Sequence, residues 1–337
     1  MKLWIIYVFL GICALVVLVI IVRVAFKILS RRRAARDFPP PGKMVDIGGR
    51  RIQLDCRGTG SPTVIFESGL DICGSLSWSS VHDEIAKTTR ACAYSRAGIM
   101  WSDAHDGPQN AKSIAEDLHA ALSKAGEQGP FILVGHSMGG PYIMTYTKYF
   151  GADVAGLVFV DASHPEQVQR LNTDSAKAAI SELRIAQLKN IIVSLLLWLG
   201  VVRVSSERMP NLSELNYQAI VAYASTSHVS YLKEAGAMDL TLAEAGTFRQ
   251  LGDRPLFVLT STAPFSKQAL ADMNWTEEDG IKHNANWKQM HEEQATWSTQ
   301  SQHQLVTNAG HQIQFYRPDI VIAAVRSVVE KVRAKRV

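Results

Sequence analysis

The chain is poor in cysteine. Its four, Cys13, Cys56, Cys73 and Cys92, fall in no metal-ligand spacing and no disulfide framework. Cys13 lies inside an apolar run, so three remain for the rest of the chain. That odd, sparse set fits a reducing compartment and leaves room for one bridge. No His-Glu-x-x-His occurs among the ten histidines, which argues against a zinc hydrolase, and no metal or cofactor is expected. Internal repeats and low-complexity segments are also absent. A basic surface is lacking too, despite the formal net charge of +4. Residues 1–36 hold seven Lys and Arg and no acid, so the remainder carries −3. A mildly acidic body excludes a nucleic-acid footprint.

Charge is missing altogether from Leu3 to Val22, twenty residues in a row. At about 1.5 Å per residue this makes roughly 30 Å of helix, enough to cross a bilayer. Trp4 and Tyr7 suit one interface. A cleaved signal peptide is the rival reading. Against it, the apolar run is long, the cationic side follows rather than precedes it, and no small-x-small site precedes the basic cluster. Six Lys and Arg, from Arg23 to Arg36, follow the run, and only Lys2 and the amino terminus precede it. The positive-inside rule therefore puts the body on the cytoplasmic side. Arg31-Arg32-Arg33 is placed to touch anionic lipid, or simply to stop transfer. Residues 1–36 read as membrane anchor and juxtamembrane segment, 37–43 with Pro39-Pro40-Pro41 as a stiff linker, and 44–337 as one folded domain.

Within that domain, short apolar runs alternate with helical periodicity. Met44–Ile47 and Arg51–Cys56 flank Gly48-Gly49 as a hairpin. Strands are expected at Thr63–Glu67, Ala91–Tyr94, Phe131–Val134, Leu157–Val160, Pro255–Leu259 and Gln304–Thr307. Helices are expected at Trp78–Lys87, Asn110–Ala125, Tyr142–Phe150 and Asp319–Val332. From about 166 to 250 no strand pattern appears, and several helices are expected there. The fold class is α/β, a mostly parallel central sheet with helices on both faces and a helical cap insertion. Ile191–Val202 in the cap is apolar but too short to span a membrane. It reads as a buried cap helix or as a greasy flap for acyl chains.

Gly135-His136-Ser137-Met138-Gly139 is the most informative stretch. An apolar strand enters it and a helix leaves it, which is the context of a nucleophile elbow. The turn strains the serine backbone, and a side chain at either flanking glycine would collide with strand or helix. Ser137 is then presented at a helix N-terminus, where developing negative charge is favoured.

These residues resemble the α/β-hydrolase superfamily from about Pro40 onward. The resemblance rests on Gly48-Gly49-Arg50-Arg51, Phe66-Glu67-Ser68-Gly69-Leu70, Tyr94-Ser95-Arg96-Ala97-Gly98, the elbow with Gly140, Leu157 to Pro165, and Gly310-His311. It implies a triad in the order nucleophile, acid, histidine, with a cap shaping the pocket. Ser137 is the expected nucleophile and His311, after the last strand, the expected base. His136 is expected to pack or bond locally, and His164 to order its loop. The acid has two locations. Many relatives carry it after the seventh strand, but Thr260 to Pro264 holds no carboxylate. Asp161, ending the sixth strand, is the favoured alternative, with Asp272, Glu277, Glu278 and Asp279 remaining. Backbone N–H groups of Leu70 and Met138 are the expected oxyanion donors. Glu67 is expected to make a structural hydrogen bond.

The implied activity is a membrane-anchored serine hydrolase cleaving a carboxylic ester of a small-molecule or lipid substrate. Amide, thioester or carbon–carbon hydrolysis on the same triad, or a catalytically silent tethered binding protein, are the alternatives. Epoxide hydrolases and dehalogenases of this fold use aspartate where this chain has Ser137. Nothing in the sequence specifies an oligomer.

Overall fold

The computed structural model describes residues 2–171 and 208–335. Eight strands form one sheet: β1 Lys43–Asp46, β2 Arg51–Arg57, β3 Thr63–Glu67, β4 Ala91–Ser95, β5 Phe131–His136, β6 Val154–Val160, β7 Leu256–Ser261 and β8 Ser301–Val306. Their order is β1-β2-β4-β3-β5-β6-β7-β8. Only β1–β2 and β2–β4 pair antiparallel, and every other neighbour is parallel.

Alternation along each strand loads both faces of the sheet. Ile65, Leu133 and Phe159 join one buried cluster, together with helices Ala111–Ala125 and Gly139–Phe150. Their neighbours Val64, Phe66, Ile132, Val134, Val158 and Val160 join the other, against helix Pro318–Ala334. The first helix is closed at both ends as its sequence dictates. Asn110 accepts from the Ser113 N–H, and Gly126 takes the left-handed conformation at φ +78°.

Several expectations need adjusting. Trp78–Lys87 is not one helix but a 3₁₀ turn, Gly74–Trp78, then a five-residue helix, His82–Ala86. The last strand starts earlier, at Ser301. A nineteen-residue helix, Glu277–Ala295, fills a stretch for which no element was expected. Described cap elements are helices Gln167–Leu171, Glu214–Gly236 and Met238–Gly246. The apolar segment Ile191–Val202 lies outside the described residues.

Helix Lys2–Asp37 is long and apolar enough, by length and composition, to cross a membrane. Its far end is fixed to the domain. Ala34 packs in a cluster with Trp101 and Tyr223, and the Trp101 Nε1–H donates to Phe38 O at 2.9 Å. The sparse cysteines do form one bridge. Cys56 and Cys92 face each other across β2 and β4 and are disulfide-bonded.

Candidate functional site

The strands β3, β5, β6 and β8 end on one edge of the sheet, where open α/β sheets place their sites. Ser137 follows β5 at φ +52°, a left-handed conformation that costs a serine about 1–3 kcal/mol and persists because its surroundings hold it. Its N–H donates to Val160 O at 3.3 Å, and its carbonyl accepts from the Ser163 N–H at 2.9 Å. Close packing accounts for the glycines. A Cβ on Gly135 would lie 2.5 Å from Gly139 O, and one on Gly139 would lie 2.5 Å from Glu67 O. Helix Gly139–Phe150 begins immediately after the turn, aiming its N-terminus at Ser137.

Asp161 ends β6 and is also left-handed, at φ +45°. Its carboxylate is buried and fully engaged. Oδ2 accepts from His311 Nδ1 at 2.7 Å, while Oδ1 accepts from the Ser261 N–H at 2.7 Å and from Trp287 Nε1–H at 2.9 Å. Burial opposes ionisation, but the His311 bond and charge, with His291 and Trp287 behind them, outweigh it and hold the carboxyl below its ordinary value. The other acid candidates stand elsewhere. Asp272 accepts from Gln268, Glu278 pairs with Lys282, and Asp279 closes the capping box with Thr276, in which helix turn Glu277 also lies; all four are exposed.

His311 keeps nearly half its side chain exposed, at 45%. The His136 ring lies 4.7 Å from it, centroid to centroid, and His136 Nε2–H donates to His311 O at 2.9 Å. Burial, with the neighbouring His311, pushes His136 down to about 3, so it is a neutral packing residue. Ser137 Oγ has no hydrogen-bond partner among the described residues. The structure therefore brings Asp161 and His311 into contact and sets Ser137 beside them without closing a Ser137–His311 bond. His164 does order its loop, accepting from the Glu166 N–H at 3.1 Å.

On the other side of Ser137 the chain after β3 passes very close. A Cβ on Gly69 would sit 2.9 Å from Ser137 Cβ. The next N–H, that of Leu70, and the N–H of Met138 have no acceptor among the described residues. Behind this loop lies a second buried cluster. Arg96 donates to Glu67, to Ser68 O, to Gly69 O and to both oxygens of Glu234. Glu67 also accepts from the Tyr94 hydroxyl, and burial lifts its carboxyl to about 7 against the pull of Arg96.

Sequence reading missed Trp287, His291 and Glu234. A signal for the first two was present: His283, Trp287 and His291 recur every four residues, one face of a helix. His291 is held neutral by burial, at about 4, bonded to Ala162 O and Thr260 Oγ1. Among the described residues, Cys56, Cys92 and Glu127 are spaced for a metal ion, but the two sulfurs are bonded to each other.

A cavity of about 280 Å³ opens beyond this edge, lined by Ile72, Met209, Leu212, Tyr231, Gln312 and Phe315 among others. Ile72 is two residues past Leu70, and Gln312 follows His311. A larger hollow of about 420 Å³, lined by Leu122, Glu127 and Asp153, lies at the opposite edge, where β5 and β6 begin.

Residues 47–324 match the alpha/beta hydrolase family. The chain belongs to that family. Curated relatives match it in part. An uncharacterized vacuolar membrane protein of Saccharomyces cerevisiae is 32% identical over 108 residues, 31% of this chain and 17% of that protein. The chain spans half or less of the length of the curated relatives it matches. Among solved structures, a thermophilic esterase from Thermogutta terrifontis superposes with a TM-score of 0.55 at 19% identity, covering 86% of this chain and 98% of that one. A haloalkane dehalogenase variant from Bradyrhizobium elkanii gives 0.60 at 16%, covering 87% and 97%. These identities speak for the fold alone.

Proposed function

We propose that the protein is a membrane-anchored serine hydrolase cleaving a carboxylic ester, with Ser137 as nucleophile, His311 as base and Asp161 as the acid partner. The contact between Asp161 and His311 beside the strained Ser137 carries this reading. Ser137 Oγ attacks the ester carbonyl carbon while His311 Nε2 takes its proton. The Nδ1–H stays bonded to Asp161, which fixes the tautomer and stabilises the imidazolium. The Leu70 and Met138 N–H groups receive the oxyanion. Collapse expels the alcohol, protonated by His311, and leaves an acyl-enzyme. Water then attacks that ester, giving up its proton to His311, and frees the carboxylic acid and Ser137. The largely apolar cavity beyond His311 suits an uncharged alkyl or acyl group, and the tether favours lipid-like esters. The domains follow the sequence reading: anchor 1–36, linker 37–43, hydrolase 44–337 with its cap at about 166–250.

A fluorophosphonate probe on the full chain in detergent tests the nucleophile. Wild type should be labelled at Ser137, and Ser137→Ala should lose both label and turnover with the fold intact. Labelling at another serine would sink the assignment. An acyl-chain-length series on ester substrates then sizes the pocket.

Two observations pull the orientation in opposite directions. The six cations after the apolar run favour a cytoplasmic body. The Cys56–Cys92 bridge favours an oxidising compartment. Protease protection in sealed vesicles of known orientation separates them. A cytoplasmic body is digested when that face is exposed, and a lumenal one survives. Glycosylation reports independently in a eukaryotic host. The sequons Asn211-Leu212-Ser213 and Asn274-Trp275-Thr276 offer two exposed acceptors, of which Asn274 is the better because the Asn211 amide donates to Phe315 O.

A further inference from the structure

We infer that Arg96 is a positioning residue for the oxyanion hole, and that Glu234 makes that hole answer to the cap. The inference rests on the reading of Ser137 and Leu70 given above. Arg96 follows β4 and is buried to 2% exposure. Its Nη1 donates to Glu67 Oε1, Ser68 O and Ser68 Oγ, each at 2.8 Å. Its Nη2 donates to Gly69 O at 2.6 Å and to Glu234 Oε2 at 2.8 Å, and Nε donates to Glu234 Oε1 at 2.9 Å. The guanidinium also stacks over Tyr142, 4.9 Å from the ring centre.

The bond to Gly69 O decides the role. Gly69 O and the Leu70 N–H belong to one planar peptide unit, in which C=O and N–H point opposite ways. A cation gripping the oxygen fixes the plane, and so fixes where the N–H points. It also draws electron density toward the oxygen and makes the N–H a stronger donor. The same unit is held against Ser137 by the close approach at Gly69. A rigid fork is needed to grip two successive carbonyls and two carboxylates at once, and a lysine ammonium has no such geometry.

Glu234 adds the second half. It sits in cap helix Glu214–Gly236, 138 residues from Arg96, and is buried to 1% exposure. It holds two of the guanidinium's nitrogens, so the fork's orientation depends on the cap being seated. Cap and oxyanion donor are thereby coupled through one side chain.

Turnover per fluorophosphonate-titrated site, measured on the full chain in detergent, is the test, since titration corrects for any unfolded fraction. Arg96→Lys should lower kcat about 100-fold with KM within about threefold, the size expected for a misplaced oxyanion donor. Glu234→Gln, which keeps shape and one acceptor, should lower kcat about tenfold in the same manner. A double-mutant cycle with Leu70→Pro, which has no N–H, adds a readout that a purely structural role would not move. Glu234→Gln should cost little more once the Leu70 N–H is gone. The inference is overturned if kcat per titrated site stays within about threefold in Glu234→Gln, or if the two changes simply multiply. Should Arg96→Lys fail to fold, Glu234→Gln and the cycle still decide. Failure of wild type to label at Ser137 would instead overturn the underlying serine-hydrolase reading.

Discussion

Two buried charge clusters stand on either side of Ser137, and they differ in what can move. Toward β6 to β8, Asp161 faces His311, a ring that is 45% exposed. Toward β3 and β4, Arg96 lies between Glu67 and Glu234, all three nearly sealed, with a guanidinium that does not titrate in the working range. Proton traffic needs an exposed tip on a fixed base. A backbone donor needs a fixed charge behind it. On the proposed reading, the β5 turn puts one serine between a histidine that must change protonation and an arginine that must not.

Removing the carboxylate from the first cluster should produce the largest effect. Asp161→Asn keeps the shape but presents an N–H to His311 Nδ1, favouring the wrong tautomer. Turnover should fall on the order of 10⁴-fold with labelling slowed in parallel. Asp272→Asn, at the exposed end of helix Lys267–Asp272, should stay near wild type. The reverse pattern would move the acid to the loop after β7 and dissolve the comparison.

The clusters should also respond to pH with opposite sign. Asp161 is held below its ordinary 3.8, so its contribution to stability is present above that value and is lost as pH falls through the depressed one. Burial raises Glu67 from 4.5 to about 7. The folded chain keeps a proton there that the unfolded chain releases, so this contribution is full below pH 4.5 and fades as pH rises toward 7. Glu67→Gln should flatten that fall in denaturant titrations of the full chain in detergent between those pH values. An unchanged slope would mean that Glu67 stays ionised beside Arg96.

How much of this was readable in sequence depends on distance along the chain. The elbow is local, so Gly135 to Gly139 announced itself, and Gly310-His311 was recognisable by its place after the last strand. Asp161 was harder because the fold allows two acid positions. The absence of a carboxylate from Thr260 to Pro264, together with the place of Asp161 at the sheet edge, favoured β6. The second cluster was out of reach. Nothing near Arg96 points to Glu234, and a cap helix pairs with a strand end only once the chain has folded. Helix Glu277–Ala295 was missed because its polar composition hides the four-residue repeat of His283, Trp287 and His291. The Cys56–Cys92 bridge depends on strand order, since β3 lies between β2 and β4 in sequence but not beside β2 in the sheet.

That overlooked helix supplies the smallest and sharpest test. Trp287 puts its ring edge-on to His311, at 6.3 Å between centroids, and gives one of three hydrogen bonds to Asp161. Trp287→Phe keeps an aromatic ring and removes only the Nε1–H. A bond to a charged acceptor contributes about 1.5–3 kcal/mol at most, and two other donors remain, so a loss of about 1 kcal/mol, or fivefold in kcat, is expected. KM should hold, because no pocket wall moves. The Asp161 carboxyl should become less acidic, since one of the bonds that outweigh its burial is gone. A loss beyond about 100-fold would show that Trp287 anchors the whole cluster rather than trimming it. No loss at all would show that the Ser261 N–H and His311 keep Asp161 in place without the indole.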